Sequence, residues 1–154
     1  MNTIIKICLI SYMISIPGFA ASAEALFDTV KIESAYVRGL PSSVRNTSAY
    51  MTIINPSDND LVLVGASSDI ADSIMLHNTE NTNGMMSMGH KMSALIPAGG
   101  ELLLESGGLH LMIMGLKAPL STADVVTMTL LFQGDFEYTL TMPVRSVLDE
   151  TTAQ

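Results

Sequence analysis

Leu109-His110-Leu111-Met112-Ile113-Met114 is a run of strictly alternating residues. Successive side chains of a strand point to opposite faces. Leu109, Leu111 and Ile113 therefore share one face, and His110, Met112 and Met114 share the other. The aliphatic set is the natural core face. The opposite face then carries one imidazole and two thioethers side by side. The run is bounded by turn residues, Ser106-Gly107-Gly108 before it and residues 115–119 after it.

The same reading extends to the rest of the chain. Residues 30–37 form an expected strand closed by Gly39-Leu40-Pro41. In residues 48–54, Tyr50, Thr52 and Ile54 alternate against Met51 and Ile53, and Asn55-Pro56-Ser57-Asp58 ends the run. Residues 61–65 are apolar β-formers. Residues 74–79 form the next expected strand and lead into a polar loop, 80–84. Pro97-Ala98-Gly99-Gly100 is a turn, followed by a short strand at 101–104. Residues 125–132 and 136–142 flank Gln133-Gly134-Asp135 as a hairpin. Many short strands between turn signals predict one all-β domain, a sandwich or barrel. No long stretch carries helical periodicity, and no internal repeat is present.

Composition narrows the function classes. The chain has 154 residues, 48% hydrophobic and 14% charged, which predicts a folded domain with a sizeable core. There is no tryptophan and the aromatic share is 5%, so base stacking has little to work with. A formal net charge of -8 also opposes nucleic acid and anionic lipid.

Residues 1–23 have the parts of a secretory signal peptide. Lys6 gives the positive start, residues 7–16 the apolar centre, Pro17-Gly18 its end, and Ala21-Ser22-Ala23 the cleavage site. The apolar run is shorter than the ~20 residues that span a bilayer, so no stable membrane insertion is expected after cleavage. Ile7 and Lys6 precede Cys8 where a lipidation signal needs small residues. The expected organisation is a signal at 1–23, a β-domain at 24–145 and a flexible tail at 146–154. Cleavage after Ala23 removes Cys8, the one cysteine, and leaves 15 acidic against 6 basic residues, or -9. Such a chain has no thiolate and must bind a metal through histidine, methionine or carboxylate, which suits an oxidising compartment.

Soft donors are concentrated in one region. Residues 75–114 hold all 3 histidines and seven of the 12 methionines. Met75 and His77 share a strand face opposite Ile74 and Leu76. Met86, Met88 and His90 are also spaced by two, if that segment is extended. Imidazole and thioether together favour a soft ion, copper(I) above all. Taken singly, any of these methionines fits core packing equally well. Asp58, Asp60 and Asp69 lie in turn-like segments and read as solvated turn residues. Ser106 and Ser121 have no nucleophile context. No enzyme activity is expected.

The spacing also carries a family resemblance. Ten residues separate His77 from Met88, twenty-one separate Met88 from His110, and one separates His110 from Met112. This pattern resembles the signature of the PCuAC-type periplasmic copper(I) chaperones, the DUF461 family. Ala35-Tyr36-Val37-Arg38, the segment 49–56, Ile96-Pro97-Ala98-Gly99-Gly100 and the segment 108–116 look like family segments too. The resemblance spans residues 35–143. It implies a cupredoxin-like Greek-key β-barrel and a Cu(I) site made by His77, Met88, His110 and Met112. It also implies delivery to the copper-bearing subunit of cytochrome c oxidase, directly or through a thioredoxin-like copper chaperone. Family members often have a methionine two residues after the first histidine, where this chain has Thr79. No histidine or methionine follows Met142, so a tail-borne copper(II) site is not expected. His90 lies outside the signature, and Met86 and Met114 are neighbours able to mask single mutations.

Three rival readings are open at this stage. A blue copper electron carrier needs a cysteine thiolate, which the mature chain lacks. Copper storage or resistance would use the same ligands without delivery. A β-sandwich interaction module would use the methionines only for packing.

Overall fold

A computed structural model describes residues 30–147 other than Asn83. The expected signal segment and most of the expected tail lie outside these residues. Ten strands follow in chain order among the described residues. They are β1 Lys31–Gly39, β2 Asn46–Ile54, β3 Leu61–Ser67, β4 Ser73–Thr82 and β5 Met85–His90. Then come β6 Ala94–Ile96, β7 Glu101–Leu104, β8 Leu109–Met114, β9 Val125–Phe132 and β10 Phe136–Ser146.

The strands run β5-β4-β8-β2-β1-β10-β9-β3-β6, and β3 also pairs β4 through Ala66 and Ile74. Seven strands therefore close a ring, an all-β barrel of cupredoxin-like fold. Closure pairs both sides of the seven ring strands and leaves β5 and β6 as the ends of the strand path. The β1–β10 pair is parallel, with Val37 beside Val144, and the other pairs are antiparallel.

Alternation fills the barrel. Ala49, Met51 and Ile53 of β2, Leu76 of β4, and Leu111 and Ile113 of β8 are buried in one core. Val126, Met128, Leu130 and Phe132 of β9 are buried at every second position. Each such side chain contributes roughly 1.5–3 kcal/mol of burial. Met51, Met128 and Met142 are indeed packing residues, each 1% exposed.

Several boundaries depart from the expected ones, β1 running on to Gly39 and β2 starting at Asn46 among them. Residues 80–82 are not loop but strand, because β4 pairs β5 as far as Thr82 beside Met85. A two-stranded ribbon satisfies its own backbone, so polar residues extend it without a core beneath. β6 gave no sequence signal, being three residues that pair Leu61–Leu63 of β3. β3 continues past Gly65 to Ser67. β10 continues past Met142 and Pro143 to Ser146, one residue into the expected tail. Proline lacks an N–H, and Pro143 sits where pairing changes hands. The β9 ladder ends at Pro143 beside Val125, and the β1 ladder starts at Val144 beside Val37.

Asn55 does more than turn the chain. It is 0% exposed, and its Nδ2 donates to the carbonyls of Asn59, Ile96 and Pro97 at 2.8, 3.1 and 3.1 Å. Its Oδ1 accepts from the Ser57 hydroxyl at 2.7 Å and the Ser57 N–H at 3.2 Å. Truncation orphans several of these groups. Asn55→Ala is expected to cost about 2–4 kcal/mol, since a buried unsatisfied group costs roughly 1–3 kcal/mol. Urea unfolding followed by circular dichroism measures it.

Candidate metal centre

The site face is built on β5, β4 and β8, three neighbours in the sheet. The cause is the alternation read from Leu109–Met114. Leu111 and Ile113 are 0% exposed and face the core, which turns His110, Met112 and Met114 outward. β4 behaves the same way, with Ile74 and Leu76 buried while Met75 is 40% exposed. β5 has no core beneath it, and all its residues are exposed.

Register decides which donors meet. His77 stands directly opposite His110 across β4–β8, and Met75 opposite Met112. On its other side His77 stands opposite His90, and Thr79 opposite Met88. Directly opposite residues share a face with Cβ atoms about 4.5–5.5 Å apart, and diagonal ones lie about 7–8 Å apart. Met88 and Met112 are thus the diagonal neighbours of His77 on its two flanks. By register the four expected side chains, His77, Met88, His110 and Met112, fall on one face, with Met88 opposite Thr79 and Met112 opposite Met75 on either side of His77 along the strand. Met114 pairs Ser73 and Met86 pairs Asn81, so these two fall at opposite ends of the face. The methionine beside Met112 is Met75.

The donors form a gradient of exposure. His110 is 4% exposed, His77 and Met112 are half-buried, and Met88 is 55% exposed. The face is therefore closed at His110 and open at Met88. The His110 and His77 rings are stacked with centroids 6.3 Å apart, and the His77 and His90 centroids are 5.6 Å apart.

His110 is held in one tautomer. Its Nδ1 lies 2.9 Å from the Gly108 carbonyl oxygen, which can only accept, so Nδ1 carries the proton. Nε2 then keeps its lone pair for an ion. A ligating histidine is commonly oriented this way by a backbone carbonyl. The same carbonyl accepts the Thr79 N–H at 3.1 Å, which ties the β7–β8 turn to β4. His77 differs: its Nδ1 is buried with no hydrogen-bond partner among the described residues. A buried polar atom without a partner is costly. An ion at that face removes the penalty, so this donor set fits a soft metal ion.

Two neighbours were missed in the sequence. The Tyr50 ring packs against His110 with centroids 6.3 Å apart, and the Arg38 guanidinium carbon lies 4.9 Å from the Tyr50 ring centre. Arg38 also donates to Ser106 Oγ at 2.8 Å. In the sequence Tyr50 shows only as an alternating strand residue, and Arg38 only as part of a segment that looks like the family's. Asp60 accepts the Ala98 N–H at 2.9 Å and Ser121 Oγ accepts the Ala123 N–H at 3.3 Å, so both serve turns.

A closed cupredoxin-like barrel bearing imidazoles and thioethers on one outer face defines the class. The chain belongs to the family described as "Putative lipoprotein LpqE-like", whose model matches residues 30–144. A curated relative, "Putative lipoprotein Lxx21020" of Leifsonia xyli subsp. xyli, is 34% identical over 133 residues, covering 86% of this chain and 79% of its own. The solution structure of apo-DR1885 from Deinococcus radiodurans is 33% identical with a TM-score of 0.62, covering 97% of this chain and 99% of its own. The Cu(I) form of DR1885 is 37% identical with a TM-score of 0.63, covering 82% and 85%. The copper-bound PCuAC domain of PmoF2, at 20% identity and TM-score 0.65 over 77% of this chain and 93% of its own, shares the fold.

Proposed function

We propose that this protein is a periplasmic copper(I) chaperone. It binds one Cu(I) through His77, Met88, His110 and Met112 and gives it up to the copper centre of cytochrome c oxidase, directly or through a thioredoxin-like copper chaperone. The observation that carries the reading is the cross-strand register that sets His110 directly opposite His77 and Met88 and Met112 diagonal to it on one face, with His110 Nε2 freed by the Gly108 carbonyl. The similarity to Cu(I)-DR1885 supports it.

The chemistry follows from the donors. Imidazole and thioether are neutral, so a bound Cu(I) keeps its single charge. Soft sulfur favours the reduced ion. Without a thiolate the ion is held against water yet yields to an acceptor that offers one. Met88, the most exposed donor, is where an acceptor sulfur would first reach the ion. Export rests on the expected signal at residues 1–23 and fits relatives described as lipoproteins. Cys8 is kept within the cleaved signal because Lys6 and Ile7 precede it.

Delivery is tested by mixing the Cu(I)-loaded protein with an oxidase fragment carrying the copper centre. Transfer of one equivalent supports the chaperone reading. Retention of copper by a fully loaded protein points to storage instead, and failure to load at all leaves an interaction module. A further prediction concerns Met88→Ala. It should weaken Cu(I) binding about tenfold or more while the melting temperature holds, because surface truncations usually stay within about 0.5 kcal/mol. A chelator competition and a thermal melt on one sample check both halves.

A further inference from the structure

The four-donor set leaves most of the exposed sulfur unused. Met85, Met86, Met88 and Met92 are 76%, 67%, 55% and 84% exposed. Met51, Met128 and Met142 are each 1% exposed in the barrel core, and Met112 is half-buried. The fold therefore divides the thioethers into an open set on and beside β5 and a closed set within the barrel. Cys8, the one cysteine of the chain, lies in the expected signal. After cleavage the thioethers are the most easily oxidised groups left. Within the open set around β5, Met88 alone is a proposed ligand.

We infer that Met88 is a modification site, whose oxidation to the sulfoxide by a peroxide closes this face to copper(I) while the barrel stays folded. The inference rests on reading Met88 as a copper(I) ligand. The step balances with hydrogen peroxide as the oxidant. The Met88 sulfur attacks one peroxide oxygen. The S–O bond forms as the O–O bond breaks, and the other oxygen leaves as water carrying both protons. Sulfur is oxidised by two electrons and the peroxide is reduced by two. The product is polar and chiral. It offers a hard oxygen in place of a soft electron pair, and softness is what lets a thioether select copper(I).

The place of Met88 in the fold separates this step from damage. A sulfoxide in a core disrupts packing. Met88 has no core beneath it, because every residue of β5 is exposed. What holds β5 is its backbone ladder to β4, from His77 beside His90 to Thr82 beside Met85. An oxygen added to the Met88 side chain meets water and takes nothing from that ladder. The core methionines are shielded from the same oxidant by burial. Methionine sulfoxide reductases, one for each epimer, reverse the reaction, so the closure is reversible.

The test treats the metal-free protein with hydrogen peroxide and locates the sulfoxides by peptide mass spectrometry. Once the peroxide is removed, an anaerobic chelator competition reads copper(I) affinity and circular dichroism reads the fold. The parent is run beside Met88→Leu and a quadruple variant, Met75→Leu/Met85→Leu/Met86→Leu/Met92→Leu. Met75 is included because it is 40% exposed and lies opposite Met112. In the parent and the quadruple variant, Met88 is expected to carry the sulfoxide and copper(I) affinity to fall at least about tenfold, with the β-sheet spectrum unchanged. The reductase pair should restore affinity to within about threefold. Met88→Leu should bind more weakly than the parent from the start and change less than about threefold on oxidation. An oxidised Met88 with unchanged affinity would overturn the inference. So would an equal loss in Met88→Leu, unfolding of the oxidised quadruple variant, or a Met88 left intact while Met85 and Met86 are converted. None of these results removes copper(I) binding by the untreated protein. An untreated parent that binds no copper(I) is a separate result, and it overturns both readings.

Discussion

The His110→Ala/Met112→Ala double variant is expected to bind Cu(I) more than about 100-fold more weakly than the parent. Losing a single outer-shell partner of a metal ligand already costs roughly 10–100-fold, and this variant loses two ligands. His110 is the buried anchor of the face, and Met112, two residues further along β8, is the diagonal neighbour of His77 on β4. Met75 lies opposite Met112 and offers a substitute sulfur, but nothing replaces the imidazole. The fold should survive. The Gly108 carbonyl keeps the Thr79 N–H when His110 is removed, so it is not orphaned. The remaining cost is lost packing, on the order of 1–2 kcal/mol. A chelator competition gives the first number and a thermal melt the second. Near-parent affinity in a folded variant would remove both residues from the site.

Leu111→Ala is expected to produce the reverse pattern, a large stability loss with copper binding kept in the protein that stays folded. Leu111 is 0% exposed and sits between Leu76 of β4 and Ala49 of β2. Closing that space requires three strands to move together. A fully buried leucine cut to alanine costs about 2–5 kcal/mol, from a total stability of roughly 5–15 kcal/mol. The urea midpoint should fall sharply with an unchanged slope. Both variants alter the same six-residue strand. One face of that strand carries the barrel and the other the proposed donors, so neighbouring residues should separate stability from binding.

That division was legible in the sequence because a strand has a period of two. The alternation in Leu109–Met114 and in residues 74–77 states which side chains face inward, and the structure follows it. The His77, Met88, His110 and Met112 spacing was legible as well, and register explains it. β4, β5 and β8 are neighbours, so residues far apart in sequence become opposite or diagonal partners. What alternation could not give was register itself. Nothing in the sequence states that His90 pairs His77, and His90 lies outside the signature. The expected loop at residues 80–84 was misplaced because Glu80-Asn81-Thr82 is polar, and polarity marks a loop only where a strand needs a core. Asn55 was read as a turn residue, and its role as a buried hydrogen-bond hub depends on carbonyls of Ile96 and Pro97 that only the folded chain brings near. Tyr50 and Gly108 act on His110 through space and through a backbone carbonyl, neither of which leaves a pattern in residue type.

X-ray absorption at the copper edge of the anaerobically loaded Cu(I) protein tests the ligand set most directly. The expected first shell contains imidazole nitrogen and thioether sulfur in equal number, with the sulfur contribution reduced in Met88→Ala and Met112→Ala. A first shell with no sulfur, or one unchanged in both variants, would contradict the assignment of His77, Met88, His110 and Met112 to the ion.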